Sequence, residues 1–260
     1  PGKEVVILGS GDIGMIMARR MTLEGAKVLG VFEIQPYASG LPRNIEQCLN
    51  DYQIPLHLSH SVTEIRGVDR LESVVISEVD DRLQPIPGTE KEYPCDTLIL
   101  SVGLIPENEL TWMAGAKQDD GTKGASVDEN FQTTVPGVFA AGNVLHVHDL
   151  VDFVSMEAEE LADGAARYIK EGALPDCGLA ITGDSMVGQL TPARFSGTGN
   201  VTVSFRMRKP VRNCTVELWQ GDHLVKQKKF PKALPAEMIQ IGLKPEELNE
   251  KDNLEVRVVC

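Results

Sequence analysis

The 260-residue sequence contains no C-x-x-C pair. Its five cysteines, Cys48, Cys95, Cys177, Cys214 and Cys260, stand singly. That spacing excludes a thioredoxin-like dithiol and a zinc knuckle within the chain, and it suits a reducing, cytoplasmic setting. No apolar run approaches the roughly 18–20 residues of a membrane helix, and no signal peptide precedes the first apolar run, so no membrane span is expected. Positive charge is scarce: 25 Lys/Arg stand against 38 Asp/Glu, a net −13. The deficit sits in residues 1–175, with 13 basic against 28 acidic groups; residues 176–260 carry 12 against 10. So acidic a surface repels phosphate backbones, and nucleic acid is not an expected partner. The short basic stretches at 206–212 and 226–232 read as solvated faces. Internal repeats and low-complexity tracts are also missing.

What remains is ordinary for a globular chain, 42% apolar and 24% charged, long enough for one large domain or two smaller ones. Val5-Val6-Ile7-Leu8 is a continuous apolar run of the kind buried on both faces of a parallel sheet. An amphipathic helical stretch follows through Met15, Met21 and Leu23 and stops at Gly25. Lys27–Phe32 reads as a second strand, residues 41–52 as a second helix, and Ile54–Leu58 as a third strand. This βαβαβ order is half of a doubly wound dinucleotide fold. The period then changes to a polar-outside meander through residues 62–66, 71–78 and the region of Tyr93. Residues 96–102 return to a buried strand, and a helical piece is expected near 107–114. Further strands are expected at Ser126-Val127 and Val138–Ala141, and a long amphipathic helix from about Leu150 to Lys170. From Asn200 onward a two-residue alternation (Val201, Val203, Phe205, Met207) predicts a small antiparallel Ig-like β-sandwich. The fold class is therefore α/β: a Rossmann-like three-layer domain with a β-meander, followed by a small all-β sandwich.

Gly9-Ser10-Gly11-Asp12-Ile13-Gly14 is a G-x-G-x-x-G turn between the first strand and the first helix, and Glu33 lies 19 residues beyond Gly14. Gly9 permits the tight turn, Gly11 lets backbone approach a pyrophosphate, and Gly14 lets helix and strand pack. The helix N-terminus offers N–H groups and partial positive charge to the phosphates. Glu33 can accept both ribose hydroxyls of adenosine and would repel a 2′-phosphate, and residues 34–37 (Ile, Gln, Pro, Tyr) supply no cation, so NAD(H) is expected over NADP(H).

The next blocks, Asp96–Pro106 (DTLILSVGLIP) and Thr133–Asn143 (TTVPGVFAAGN), follow that turn in an order that resembles the pyridine nucleotide-disulfide oxidoreductase-type FAD/NAD flavoproteins. The similarity spans about residues 3–171. The closer match is the subgroup without an intrinsic C-x-x-C, similar to the FAD/NAD subunits of opine and sarcosine oxidases. The resemblance implies residues 1–105 as an NAD-binding domain and 106–175 as the C-terminal part of an FAD-binding domain, with 176–260, which it does not cover, as the sandwich. It adds Gly103, Gly142 and Asn143 to the cofactor-binding residues. It also implies that the helix beginning near Leu150 and Val151 points its N–H groups at a reduced flavin. Asn143 stands where the family has Asp, which keeps a carbonyl acceptor but removes charge assistance. Only one glycine fingerprint exists, at the very start, and the chain opens at Pro1 without methionine. The expectation is a fragment of a longer flavoenzyme, with an incomplete FAD site that a missing N-terminal half or a partner subunit completes.

The implied function is hydride transfer between nicotinamide and flavin. The alternative is a non-catalytic NAD-binding or assembly module of a larger redox complex. A flavin-free dehydrogenase lacks support, because no Tyr-x-x-x-Lys or ligand set accompanies the turn, and no catalytic residue is assigned. His146-Val147-His148-Asp149, with Asp152 as a further oxygen ligand, invites a metal reading. The His-x-His spacing alternates faces only if extended, however, and no other His or Cys is near in sequence. No metal site is assigned; a plain polar loop is the default, a flavin- or substrate-facing loop the alternative.

Overall fold

In a computed structural model that describes residues 2–260, the chain divides into two compact units, Pro1–Gly103 and Leu104–Cys260. In the first, strand β1 (Glu4–Leu8) leads into helix α1 (Asp12–Leu23), which ends where Gly25 adopts φ 86°. Strand β2 (Lys27–Glu33) follows, then helix α2 (Pro42–Asn44), which continues as a π turn over Ile45–Leu49 and a 3-10 turn over Asn50–Tyr52. Strand β3 (Leu56–Leu58) is shorter than the sequence suggests. Strands β4 (His60–Arg66), β5 (Ser73–Glu78) and β6 (Lys91–Pro94) form the antiparallel meander, and β7 (Thr97–Leu100) returns to the first sheet.

That sheet is parallel throughout, in the order β3-β2-β1-β7. Side chains alternate across it: Val5 and Ile7 pack with Met15, Ala18 and Leu49, while Val6 packs with Phe32, Val74 and Ile76. The result is three layers, helices on one face and the meander on the other. The chain leaves β1 toward β2 and β3 on one side and places β7 on the other, so the strand order reverses at the carboxyl end of β1. Ligands of open α/β sheets bind at such a crevice.

The second unit opens with a short helix, α3 (Glu109–Met113), and contains the 21-residue helix α4 (Val151–Glu171). Its sandwich is built from β8 (Leu179–Gly183), β9 (Val187–Thr191), β10 (Arg194–Phe195), β11 (Val201–Met207), β12 (Val211–Gln220), β13 (His223–Ala233), β14 (Ile239–Leu243) and β15 (Leu254–Val259). Sheets β10-β8-β15-β12-β13 and β14-β11-β9 enclose one core that contains Phe195, Val203, Phe205, Val216, Leu218 and Leu254.

Three features differ from the sequence reading. The strands expected at Ser126-Val127 and Val138–Ala141 do not form; the region holds only isolated bridges, such as Gln132 with Phe139 and Asp128 with Arg194. Alongside Val138–Ala141 runs the segment Phe131–Thr133, held by the Thr133 N–H to the Val138 carbonyl and the Ala140 N–H to the Phe131 carbonyl, a single bridge rather than a strand pairing. Helix α4 is amphipathic as expected, yet only Gly164 on it is buried, and Val151, Met156 and Ile169 are exposed. The sandwich is not wholly antiparallel, since β15 pairs parallel with β8. These are its first and last strands, joined by no hairpin, so nothing forces an antiparallel pairing.

Candidate dinucleotide site and histidine–glutamate cluster

The three glycines of the turn are there for different reasons. Gly9 sits at φ 98°, and a Cβ on it would strike the Ser101 carbonyl. A Cβ on Gly14 would lie 2.5 Å from the Gly9 carbonyl oxygen and 2.8 Å from Ser101 Cβ. Both are demanded by the fold. Gly11, the N-cap of α1, has φ −60° and ψ 164°, and a Cβ there would find nothing nearer than Ser101 Oγ at 3.6 Å. Nothing in its own chain requires glycine at that position.

The first turn of α1 carries N–H groups without intrahelical acceptors, and no side chain caps them. Ile13, on that turn, is 68% exposed. Asp12 does not point its charge along this opening: its Oδ1 accepts the Leu41 N–H at 2.8 Å and the Asn44 amide at 2.6 Å, bracing the loop before α2. Ser10 is fully buried, and its N–H (2.9 Å) and hydroxyl (2.6 Å) both donate to Glu33 Oε2. The Ser39 hydroxyl donates to the same oxygen at 2.9 Å, and Glu33 Oε1 takes the Gln35 N–H at 2.9 Å. Glu33 is 4% exposed and held rigidly at the end of β2, with acceptor capacity left on Oε1. Burial, and then the Glu33 charge, push the neighbouring Tyr37 phenol up. Gly103, at φ 94°, follows β7, with open space where a Cβ would be.

A second constellation lies in the other unit. Gly142, at φ 73°, opens a 3-10 turn over Gly142–Val144, and its N–H donates to Glu157 Oε1 at 2.6 Å. Asn143 Oδ1 accepts the His148 N–H at 3.1 Å and lies 3.3 Å from His148 Nδ1. Leu150 is the N-cap of α4 and Val151 its first residue; both are exposed, Val151 at 75%, and no side chain caps the helix. Asp149 is tied to Arg206 and to the Met238 N–H.

The His-x-His segment is not a plain polar loop. Both rings are buried and stacked, with centroids 4.0 Å apart, and their Nε2 atoms lie 2.9 and 3.1 Å from one oxygen, Glu157 Oε2. Asp152 is exposed and lies outside this cluster; Glu157 takes its place. Burial would raise the Glu157 carboxyl, but hydrogen bonds from His146 and His148, the His146 charge and the Gly142 N–H outweigh it and hold the group at about 2. Sequence reasoning missed Glu157, which is 11 residues from His146 and presents no local motif. The available signal was its place two turns into α4, on the helix face that carries Phe153.

An open helix N-terminus at the switch point of a parallel sheet, with a rigid acid at the next strand end, is the arrangement of a Rossmann-type α/β fold. The chain belongs to the pyridine nucleotide-disulphide oxidoreductase family, whose sequence profile matches residues 1–167. It is 28% identical over 224 residues to an NADH oxidase of Methanocaldococcus jannaschii, covering 80% of this chain and 45% of that protein. It is 26% identical over 187 residues to the glutamate synthase [NADPH] small chain of Escherichia coli, covering 65% and 39%. Among solved structures, thioredoxin reductase of T. acidophilum superposes with a TM-score of 0.53 at 27% identity, over 66% of this chain and 53% of that one. The chain thus spans about half or less of the length of these relatives.

Proposed function

We propose that residues 1–105 bind NAD(H), and that residues 106–175 are the C-terminal part of an FAD-binding domain, in an oxidoreductase that passes hydride between nicotinamide and flavin. The observation that carries this reading is Gly11: a glycine with no conformational or packing reason of its own, at an uncapped helix N-terminus, leaves room for a pyrophosphate to reach the backbone. Glu33 would accept the adenosine ribose hydroxyls, oriented by Ser10, Ser39 and the Gln35 N–H. Asp12 would act through its backbone, its side chain bracing the loop at Leu41. The absence of any cation at residues 34–37 favours NADH over NADPH. The relatives' names include both coenzymes.

The flavin supplies the hydride acceptor; the chain's share is positioning and electrostatics. Leu150 and Val151 at the start of α4 would offer N–H groups and partial positive charge. The exposed face of α4 suits docking of the rest of such a domain, supplied by a further segment or a partner subunit. Asn143 already accepts from His148 on the same oxygen, so this chain alone should hold FAD weakly. Within the family we place it with the subgroup lacking a C-x-x-C, in the cytoplasm.

The test is a single variant. Gly11→Val should keep the fold, since its Cβ meets only ordinary contacts, and should lose at least about tenfold in NADH affinity, roughly 1.4 kcal/mol. Unchanged affinity in a folded Gly11→Val protein would remove the main support for the reading.

A further inference from the structure

The second unit contains an arrangement that the dinucleotide reading does not use. Two buried imidazoles converge through Nε2 on a single carboxylate oxygen, and all three ligand-type atoms lie within 4.8 Å of one another. The hydrogen positions can be followed from the partners. Asn143 Oδ1 accepts the His148 backbone N–H, which fixes that end of the amide as oxygen. His148 Nδ1, 3.3 Å from the same oxygen, must therefore carry a hydrogen. In the neutral ring, His148 Nε2 is then a lone pair aimed at a carboxylate oxygen 3.1 Å away. Two acceptors face each other there, and a proton or a metal cation between them relieves the contact.

His146 makes its polar contact through Nε2, the ring atom that faces Glu157. His146 Nδ1 is buried without a hydrogen bond, in a residue 1% exposed, whereas nearly all such atoms in native proteins are paired. Charging both rings would set two imidazolium groups face to face at 4.0 Å and leave His146 with a buried unpaired N–H. A single ion shared by the three side chains avoids the imidazolium repulsion.

We propose that His146, His148 and Glu157 form a binding site for a late first-row divalent cation of the zinc class. Two imidazoles and one carboxylate disfavour Mg²⁺ and Ca²⁺, which take oxygen ligands, and suit Zn²⁺ in a three-protein-ligand site with an open position. Zinc bonds of about 2.0–2.1 Å to nitrogen and oxygen place tetrahedral ligand atoms about 3.3 Å apart. The N–O separations of 2.9 and 3.1 Å need to open by only a few tenths of an ångström. Asn143 is the outer partner that fixes the His148 tautomer, and the Gly142 N–H fixes the other Glu157 oxygen. A cavity of about 130 Å³ has Glu157 in its lining, beside Phe153, Met156 and Glu160.

The site shares Gly142 and Asn143 with the proposed flavin stretch but no residue with the proposed NADH site, so metal titration of the flavin-free chain tests it separately from the proposed function. The whole chain, stripped with chelator and desalted, is titrated with Zn²⁺ against a chromophoric chelator, and with Co²⁺ to read the ligand type from its spectrum. The expected result is one equivalent bound, a Co²⁺ spectrum without a thiolate charge-transfer band, and affinity reduced at least about a hundredfold in both His148→Ala and Glu157→Gln, beyond the usual loss from an outer-shell change. Circular dichroism and the melting midpoint of each variant would show that the fold survives. No saturable binding overturns the proposal, as does a thiolate band, or binding that both folded variants retain.

Discussion

At the residue scale, Gly11 and Gly14 carry the same side chain for opposite reasons, and substitution separates them. Gly14→Val should destabilise the protein by a few kcal/mol, because its side chain meets the Gly9 carbonyl and Ser101. Urea denaturation of Gly11→Val and Gly14→Val should show a midpoint shift only in the second. Glu33→Ala combined with Gln35→Arg should move preference toward NADPH, since it removes the acid that repels a 2′-phosphate and adds a cation. Persistent NADH selectivity in that double variant would refute the role given to Glu33.

Two other residues make solution predictions through their burial. Burial, then the Asp128 and Glu129 charges, push the Cys177 thiol up to about 12, and burial also raises Cys48, Cys95 and Cys214. Only Cys260 is exposed. A thiol reagent at pH 8 should therefore modify one of five cysteines rapidly, and all five only after denaturation. Burial likewise raises the Asp128 carboxyl, against the Asn130 and Gln132 N–H groups that it accepts. With its folded value above its unfolded one, Asp128 contributes stability below the ordinary carboxylate range and loses it as pH rises through the folded value. Asp128→Asn should be more stable than the parent at pH 7, with the gap narrowing toward pH 4. A gap that widens in acid would contradict this.

At the element scale, α4 meets the backbone around Asn130 through Gly164. Gly164 is its only buried residue, a Cβ there would lie 2.7 Å from the Asn130 carbonyl, and Arg167 donates to the Asn130 side chain at 2.5 Å. Gly164→Ala should cost about 1–3 kcal/mol by pushing the helix away, although alanine is the better helix former. Hydrogen exchange should show faster opening of α4 with β11 unchanged; uniform protection would mean that the helix docks elsewhere.

The same scale shows what periodicity encodes. The βαβαβ order, the meander and the alternation of β11 were legible because each element repeats its own period against a core in its own unit. The failed strand at Val138–Ala141 has the right composition but pairs with its neighbour, Phe131–Thr133, through a single bridge. The π turn at Ile45–Leu49 and the parallel pairing of β8 with β15 leave no trace in a hydrophobic pattern, which records burial and not strand direction. For the candidate site, the glycine turn and Glu33 could be found because they sit at fixed offsets along one βαβ unit. Ser39, which shares Glu33, and Glu157, which gathers two histidines, are brought in by the fold from outside any motif.

At the scale of the whole molecule, each compact unit has its own core, and no helix among the described residues is long and apolar enough to cross a membrane. A ligand that binds one unit should stabilise that unit. NADH at a hundredfold excess over its dissociation constant should raise the stability of the first unit by about 2.7 kcal/mol and leave unfolding of the sandwich unchanged. Calorimetric scans with and without coenzyme, read alongside fragment melting, distinguish this from a uniform shift.

The most direct measurement is isothermal titration of the folded chain with NADH and with NADPH. Saturable one-to-one binding of NADH, at least about tenfold tighter than NADPH, is the predicted result. No saturable heat with either coenzyme, from protein whose fold is verified by circular dichroism in the same sample, would contradict the assignment of the glycine turn and Glu33 to a nicotinamide dinucleotide.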